Sequence, residues 1–276
     1  MFKKKTFAYK PHIDGLRALA VLVVILYHIP LDIIPSGYLG VDVFFVISGY
    51  VITNSIIKLG QLPSISFFTT FFYRRVKRLF PSLLFLVIIS FFIMFFISNN
   101  IDTQFKTGLS SLYGMSNQFL YVLAFDYWAI DAKNNIFTHT WSLSVEEQFY
   151  LIIIIVWIII IRFEAKGNFL NIKTILAASC FASFFIWLYN GVNENVLASH
   201  YLLQGRFWEI GIGCLAALGS INLDYIPYKL KNFFSINKCL FLLVIIFFID
   251  EKPPLILTPL TILFTVLIIS KVEAKK

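Results

Sequence analysis

The first apolar segment of the sequence, RALAVLVVILYH, carries a base at each end, Arg17 and His28. Apolar residues alone would anchor a helix in a bilayer, whereas ionisable side chains in a membrane segment are costly and are commonly functional. Eleven helical steps return to nearly the same face, about 16 Å further along the axis. The segment therefore predicts one helix face with a cation at one end and a proton-transfer group at the other. The alternatives are a snorkelling Arg17 paired with Asp14 and an interfacial His28 bonded to a loop carbonyl.

A carboxylate, Asp42, lies a few residues into the second apolar segment, GYLGVDVFFVISGY. A charge there is costly unless it has a partner. A hairpin through IPLDIIPSG would bring Asp42 near His28, where the carboxylate would fix the imidazole tautomer and raise its basicity. Gly37, Gly40 and Gly49 would let helix backbones approach closely. The alternative is an Asp42 that is hydrated at the membrane interface.

Four basic residues open the third apolar segment, in FYRRVKRLFP. Arg75 and Arg78 are three residues apart and share a helix face, with Arg74 and Lys77 beside them. Paired guanidinium groups suit phosphates because each group offers a fork of donors. Most basic clusters at a membrane surface instead set topology or attract anionic lipid, so the cluster alone does not assign a ligand.

Two adjacent carboxylates, Glu146 and Glu147, occur in HTWSLSVEEQFYL at the start of another apolar segment. Acidic residues favour the first turn of a helix, so a Ser144 cap followed by an acidic turn would be a purely structural explanation. One glutamate would suffice for that role. Two glutamates together with His139, Trp141 and Gln148 predict a polar pocket at the outer mouth of this span.

The elements that must position these residues are predicted to be membrane helices. Of the 276 residues, 59% are hydrophobic and 14% are charged, and the mean hydropathy is +0.81, which is unlike a soluble domain. A spanning helix needs about 20 mostly apolar residues. The predicted spans are 13–30, 38–57, 79–97, 141–161, 172–190, 200–218, 238–250 and 255–270. Polar residues interrupt the segment 105–125, which is either re-entrant or an additional span.

The positions of the basic residues predict the topology. With a cytoplasmic N-terminus, basic residues fall in the loops 58–78, 162–173 and 219–238 and in both termini, as the positive-inside rule requires. They share one side only if 105–125 does not cross, so 98–140 is predicted to be one external or re-entrant segment. An ordinary span at 105–125 is the alternative. This distribution accounts for the net charge of +8 without a nucleic-acid partner.

The three cysteines, Cys180, Cys214 and Cys239, lie in or beside apolar segments without metal-ligand spacing. We expect buried thiols with neither a disulfide nor a metal. The first apolar segment lacks a small-residue cleavage site, so no cleavable signal peptide is expected. Residues 1–276 are predicted to form a single all-α polytopic membrane domain of about eight transmembrane helices plus the ambiguous segment.

The motifs together resemble the membrane-bound acyltransferase-3 family, which includes bacterial O-acetyltransferases of surface polysaccharides such as lipopolysaccharide. The resemblance covers residues 9 to 270 and rests on motifs in the family's order. These are Arg17-x10-His28, GYLGVDVFFVISGY, Arg75-x-x-Arg78, HTWSLSVEEQFYL and RFWEIGIG. Members usually continue with further spans, whereas this sequence ends at KVEAKK, which predicts a short or truncated form.

The resemblance implies transfer of an acyl group, usually acetyl, from cytoplasmic acyl-CoA to a carbohydrate hydroxyl outside a bacterial inner membrane. A thioester is already activated, so no metal is expected. Membrane lipid, acyl-CoA and a cell-surface carbohydrate are the expected partners. The alternatives are a transporter or flippase and an inactive fragment. The expected catalytic residues are His28, Asp42, Glu146 and Glu147, and the expected donor-binding residues are Arg17, Arg75 and Arg78.

Overall fold

The structure is a computed structural model that describes residues 10–29, 33–59, 64–97, 101–125, 135–164, 171–193, 195–220, 235–250 and 254–274. These residues form eleven α-helices and no strand, which confirms the all-α prediction. The helices are α1 (Pro11–His28), α2 (Gly40–Leu59), α3 (Ser64–Ile97), α4 (Ile101–Leu112), α5 (Ser116–Leu123), α6 (Trp141–Glu164), α7 (Ile172–Val192), α8 (Val196–Tyr201), α9 (Leu203–Ala217), α10 (Ile236–Ile246) and α11 (Leu257–Ala274).

Five segments of the described chain are long and apolar enough to cross a membrane. They are Pro11–His28, Gly37–Leu59, Ser66–Phe96, Thr138–Ile160 and Ile172–Val192. The segments Ile236–Ile246 and Leu257–Lys271 are apolar but shorter. The predicted count of about eight spans is therefore not confirmed.

Three predicted segments differ in the structure. Helix α3 begins at Ser64 and continues through Pro81, so the basic cluster is helical although 58–78 was predicted to be a loop. The segment 105–125 is two short helices, because Gly114 turns the chain between α4 and α5 with a φ of +67°. The predicted span 200–218 is divided at Leu202, whose extended backbone ends α8.

The described chain divides into two compact units. Unit 1 comprises Met1–Lys58, Lys173–Ala182 and Trp208–Lys276. Its centre is the crossing of α2 and α9, where glycines bring the backbones together. A Cβ on Gly49 would lie 1.8 Å from the Ile210 carbonyl oxygen, and one on Gly213 would lie 2.0 Å from that of Val46. The predicted close approach at Gly49 is thus confirmed, with α9 as the partner helix.

Unit 2 comprises Leu59–Ile172 and Ser183–Phe207. Helices α3 and α6 are antiparallel in it. The ring centroids of Phe91, late in α3, and Phe137, just before α6, are 6.1 Å apart. The guanidinium of Arg75, earlier in α3, lies 4.0 Å from the ring centroid of Tyr150, which is further along α6. The short helices α4 and α5 pack between these two, with α4 against α3 and α5 against α6. Unit 2 therefore places polar residues of α6 beside the basic cluster of α3, which begins ten residues after its first residue.

Candidate functional site

Arg17 and His28 lie on one continuous helix in unit 1, as the sequence predicts. Helix α1 runs from Pro11 to His28 without a break, so eleven helical steps separate the two side chains by about 16 Å on one face. Arg17 forms an ion pair with Asp14 at 3.6 Å, which is the contact that the structural alternative expects. His28 is exposed at the last turn.

The hairpin between α1 and α2 is close, but its register does not bring Asp42 to His28. A Cβ on Gly37 would lie 2.7 Å from the Val23 carbonyl oxygen, and one on Gly40 would lie 2.7 Å from that of Ala20. Residues further along α2 therefore meet residues earlier in α1. Asp42, which is 2% exposed, lies past Gly40 in the direction away from His28. The predicted approach of the two side chains is corrected, and a catalytic role for Asp42 stays a prediction.

A backbone carbonyl orients the imidazole of His28. Its Nδ1 is 2.8 Å from the carbonyl oxygen of Val24, one turn earlier in α1, so Nδ1 carries the proton and donates it. This tautomer leaves Nε2 with the lone pair that accepts a proton. The ring also contacts Tyr27 edge-on, at 5.3 Å between centroids. The Val24 carbonyl thus orients the imidazole so that Nε2 can accept a proton.

The other end of the hairpin forms a groove in unit 1, which we call the cationic groove. It has a volume of about 210 Å³. Lys10, Asp14 and Arg17 line it from the start of α1, and Asn54 and Lys58 line it from the end of α2. Three cations therefore face one carboxylate. An anionic ligand would relieve the repulsion among the cations.

Neutral donors complete the cationic groove. Tyr50 and Ser55 of α2 also line it, and Lys10 Nζ donates a hydrogen bond to the Tyr50 hydroxyl. Among these residues, only Arg17 was predicted from the sequence to bind the donor. The predicted topology put Lys10 and Lys58 on the same side of the membrane. The sequence did not predict the register that packs α2 against α1 and brings these lysines to one groove.

A second cavity, also about 210 Å³, lies wholly in unit 2, and we call it the aromatic cavity. Arg75, Tyr113, Glu147 and Tyr150 line it, together with three phenylalanines of α3 and three aliphatic side chains. The sequence analysis assigned Arg75 to an inner cationic site and Glu147 to an outer mouth. The structure corrects that separation, because both residues line one cavity where antiparallel α3 and α6 face each other.

Glu146 acts through Tyr150 in this arrangement. The Tyr150 hydroxyl donates to Glu146 Oε2 at 2.5 Å, one helical turn apart on α6. The Arg75 guanidinium lies 4.0 Å from the Tyr150 ring centroid and 5.7 Å from that of Phe71. A cation at this distance is attracted to the electron-rich ring face. Glu146 therefore positions the Tyr150 ring, and the Arg75 guanidinium stacks on that ring.

The turn between α4 and α5 lies beside Glu147. Gln148 Nε2 donates to the Gly114 carbonyl and to Asn117 Oδ1, both at 2.8 Å. Asn117 in turn donates to the Tyr201 carbonyl at 3.0 Å. A Cβ on Gly114 would lie 2.7 Å from Glu147 Oε2, and the φ of +67° at Gly114 favours glycine in this turn. The predicted polar pocket stays a prediction, because Glu147 lines the aromatic cavity but Gln148 and Trp141 do not.

Arg78 lies outside both cavities in the described chain. It is exposed on α3, although it shares a helix face with Arg75. Among the described residues, no group of three or more His, Cys, Asp or Glu side chains is arranged to hold a metal ion. The cysteines Cys180, Cys214 and Cys239 are buried free thiols. The donor-binding role of Arg78 stays a prediction.

Unit 2 also contains a buried arginine that lies outside the five candidate membrane spans. Arg206 is 7% exposed, and its guanidinium donates to the His200 carbonyl and lies beside His200 Nδ1, both at 3.2 Å. The Trp141 ring packs on the His200 ring at 4.3 Å between centroids. Burial, with the Arg206 charge as the second cause, lowers the pKa of His200 to about 3. His200 is therefore neutral and accepts a hydrogen bond from Arg206.

The sequence of the chain is similar to those of known acyltransferases. A family model described as an acyltransferase domain, Acyl_transf_3, matches residues 11–271. YrhL of Bacillus subtilis (strain 168), named as a candidate peptidoglycan O-acetyltransferase, is 31% identical over 264 residues. That alignment covers 91% of this chain and 41% of YrhL. The O-acetyltransferase OatA of Staphylococcus aureus (strain NCTC 8325 / PS 47) is 31% identical over 226 residues, 81% of this chain and 36% of OatA.

The chain spans about two fifths of the length of these relatives. No solved structure matches it.

Proposed function

The chain belongs to the acyltransferase-3 family, and from this premise we propose that it is an integral membrane O-acyltransferase. Its donor is a cytoplasmic acyl-CoA carrying acetyl. Its acceptor is a hydroxyl of a cell-surface polysaccharide or of a lipid-linked precursor. The names of the relatives favour acetyl as the group and a peptidoglycan-like glycan as the acceptor.

One observation carries the proposal. The hairpin of α1 and α2 has the cationic groove at one end and an exposed imidazole with an available Nε2 at the other. An acyl-CoA has a polyanionic end and a thioester end, joined by a long neutral arm. The two ends of α1 match these two chemistries, and a fixed separation of about 16 Å suits an arm of that kind.

The donor is held, in this proposal, by its phosphates. Arg17 contributes a guanidinium fork and Lys10 and Lys58 contribute point charges, which are the two modes by which proteins hold phosphate. Asn54 and Ser55 supply neutral polar groups at the same groove. Arg17 then exchanges its ion pair with Asp14 for contacts to the ligand. The further donor contacts predicted for Arg75 and Arg78 stay predictions.

The reaction is a direct acyl transfer. The acceptor oxygen attacks the thioester carbon while His28 Nε2 takes the hydroxyl proton. An ester bond forms, the carbon–sulfur bond breaks, and the proton passes from the imidazolium to the departing thiolate to give free CoA. The carbonyl of Val24 keeps Nδ1–H in place and so keeps Nε2 basic. The thioester supplies the driving force.

The protein is a multi-pass membrane protein, and we place its N-terminus on the cytoplasmic side of a bacterial inner membrane. This orientation puts the cationic groove where acyl-CoA is available. A cysteine introduced at exposed Lys173, at the start of α7, should then be protected from a membrane-impermeant maleimide in intact cells. A cysteine at exposed Asp102 should react. The reverse pattern would contradict the orientation.

A transfer assay tests the proposed function. Purified full-length chain in lipid nanodiscs is incubated with [14C]acetyl-CoA and a chitin-derived tetrasaccharide of N-acetylglucosamine, and label in the sugar fraction is counted. We expect labelled sugar and an equimolar amount of free CoA thiol. Donor binding without label in any glycan would contradict transfer. Movement of sugar across the membrane without acetylation would favour a transporter.

A further inference from the structure

The aromatic cavity of unit 2 differs from a phosphate site in its balance of charge. Its two charged side chains, Arg75 and Glu147, are of opposite sign. A polyanion would gain from the arginine and lose against the carboxylate. A neutral ligand with hydroxyl groups would gain from both, because a guanidinium donates hydrogen bonds and a carboxylate accepts them. The cavity therefore favours a neutral polyhydroxylated ligand.

The walls of the cavity favour a ring. Tyr113, Tyr150 and the three phenylalanines of α3 present aromatic surface, and the remaining walls are aliphatic. The face of an aromatic ring carries partial negative charge, so it attracts the weakly positive C–H face of a sugar. Small-molecule sites commonly combine such apolar walls with a few fixed polar groups.

We propose that the aromatic cavity binds a pyranose ring of the acceptor, with Arg75 and Glu147 bonded to its hydroxyls and Tyr150 as a packing surface. This inference rests on the proposed function, since it names where that reaction takes its acceptor. It assigns Arg75 to the acceptor, whereas the family resemblance predicts that Arg75 binds the donor. The two assignments predict different effects of the same substitution.

Contacts outside the cavity position its arginine, as a selective site requires. The Arg75 guanidinium stacks on the Tyr150 ring, whose hydroxyl donates a hydrogen bond to Glu146. Glu147 lies beside the Gly114 turn, which Gln148 holds by a hydrogen bond to the Gly114 carbonyl. A ligand therefore meets a donor that loses little conformational freedom on binding.

The rim of the cavity is apolar. Tyr113 is 76% exposed, and Val76 and Phe80 are also exposed at the edge. A sugar can reach such a rim on a membrane lipid or as part of a soluble chain. Two probes separate these sources: a polyprenyl-pyrophosphate-linked disaccharide in the nanodisc, and the soluble chitin-derived tetrasaccharide. Preference for the first assigns a lipid-linked acceptor, and preference for the second assigns the glycan chain.

Saturation-transfer NMR on the full chain in nanodiscs tests binding without requiring turnover. We expect transfer from the protein to sugar ring protons in the wild type and its loss in Glu147→Gln. The matched control, Asp102→Asn, changes an exposed carboxylate that pairs with Lys106 and should keep the transfer. Absence of transfer for both probes in the wild type, or full transfer in Glu147→Gln, would overturn the proposal. These results do not depend on the transfer reaction, so failure of the proposed function is recognised separately.

Kinetics then separate acceptor from donor. Arg75→Ala should raise the acceptor KM about tenfold or more and leave the Kd of acetyl-CoA unchanged. Arg74→Ala, which changes an exposed arginine on the same helix, should alter neither value. A tenfold weaker acetyl-CoA Kd in Arg75→Ala with an unchanged acceptor KM would assign the cavity to the donor and overturn the inference. Circular dichroism of each variant confirms that its helices are intact.

Discussion

The cationic groove of unit 1 and the aromatic cavity of unit 2 have the same volume and opposite chemistry. Lys10, Arg17 and Lys58 give the groove three cations against one carboxylate. The cavity has one cation and one carboxylate among aromatic rings. Volume therefore says little about the ligands of this chain, whereas the balance of charge distinguishes them. The proposed ligands follow this difference, with phosphates in the groove and sugar hydroxyls in the cavity.

The two regions also differ in how their arginines are held. Arg17 in the groove has a carboxylate partner, Asp14, at 3.6 Å. Arg75 in the cavity rests on the Tyr150 ring, which leaves the edges of the guanidinium for hydrogen bonding. The charged ligand proposed for the groove would have to replace an ion pair. The neutral ligand proposed for the cavity would add to an existing stack.

The largest expected effect is on the rate of acyl transfer and leaves donor binding unchanged. His28→Gln keeps a hydrogen-bonding group but cannot take a proton, so transfer should fall by about 10²–10⁴. The Kd of acetyl-CoA should not change, because the groove lies at the other end of α1. Single-turnover transfer and calorimetric donor binding measure the two quantities. Near-normal transfer in His28→Gln would assign the base elsewhere, with Glu147 as the next candidate.

The next effect tests the charge of the groove. Removing a charged hydrogen-bond partner costs about 1.5–3 kcal/mol, so Lys58→Ala should weaken acetyl-CoA binding about 10- to 100-fold. Lys106→Ala is the matched control, because Lys106 is an exposed lysine outside both cavities. Equal acetyl-CoA Kd values in the two variants, measured by calorimetry, would remove Lys58 from the donor site.

A smaller effect distinguishes the regions without mutation. Salt screens interactions among accessible charges, with a Debye length of about 10 Å at 0.1 M and about 3 Å at 1 M. The Kd of acetyl-CoA should therefore rise several-fold between these concentrations, while the acceptor KM should stay nearly constant. Donor binding and acceptor kinetics are measured in the same two buffers. A salt dependence of the acceptor KM as steep as that of the donor Kd would erase the contrast.

The smallest expected effect concerns the Tyr150 ring on which the Arg75 guanidinium stacks. Tyr150→Phe keeps the ring but loses the bond to Glu146, and Tyr150→Leu loses the ring as well. Cation–π contacts contribute about 0.5–1 kcal/mol at exposed sites, so Tyr150→Leu should raise the acceptor KM about two- to fivefold. Tyr150→Phe should change it less. An acceptor KM that Tyr150→Phe raises more than Tyr150→Leu would show that the hydroxyl, not the ring face, matters.

Local periodicity made much of the fold predictable. Long apolar runs predicted helices α1, α2, α6 and α7, because an apolar run of that length indicates a membrane helix. The breaks at Gly114 and Leu202 were not predictable, because both depend on backbone conformations chosen by packing around them. The length of helix α3 was underestimated, because the basic cluster at Arg74–Arg78 lowers the hydropathy of a segment that is still helical.

The candidate site was predictable residue by residue but not as a constellation. Arg17, His28, Arg75 and Glu147 stood out because charge in an apolar sequence is conspicuous. Which of them meet is decided by register between helices distant in sequence. The α1–α2 register moved Asp42 away from His28, and the α3–α6 pairing brought Arg75 to Glu147. Single-sequence patterns carry no information on such pairings.

Donor affinity in Arg17→Ala and Arg75→Ala, measured side by side by calorimetry with acetyl-CoA, shows which arginine binds the donor. We expect Arg17→Ala to weaken acetyl-CoA binding about 10- to 100-fold and Arg75→Ala to leave it at the wild-type value. Equal losses in both variants would show that the two arginines serve one donor. That result would contradict the division between a phosphate groove and a sugar cavity.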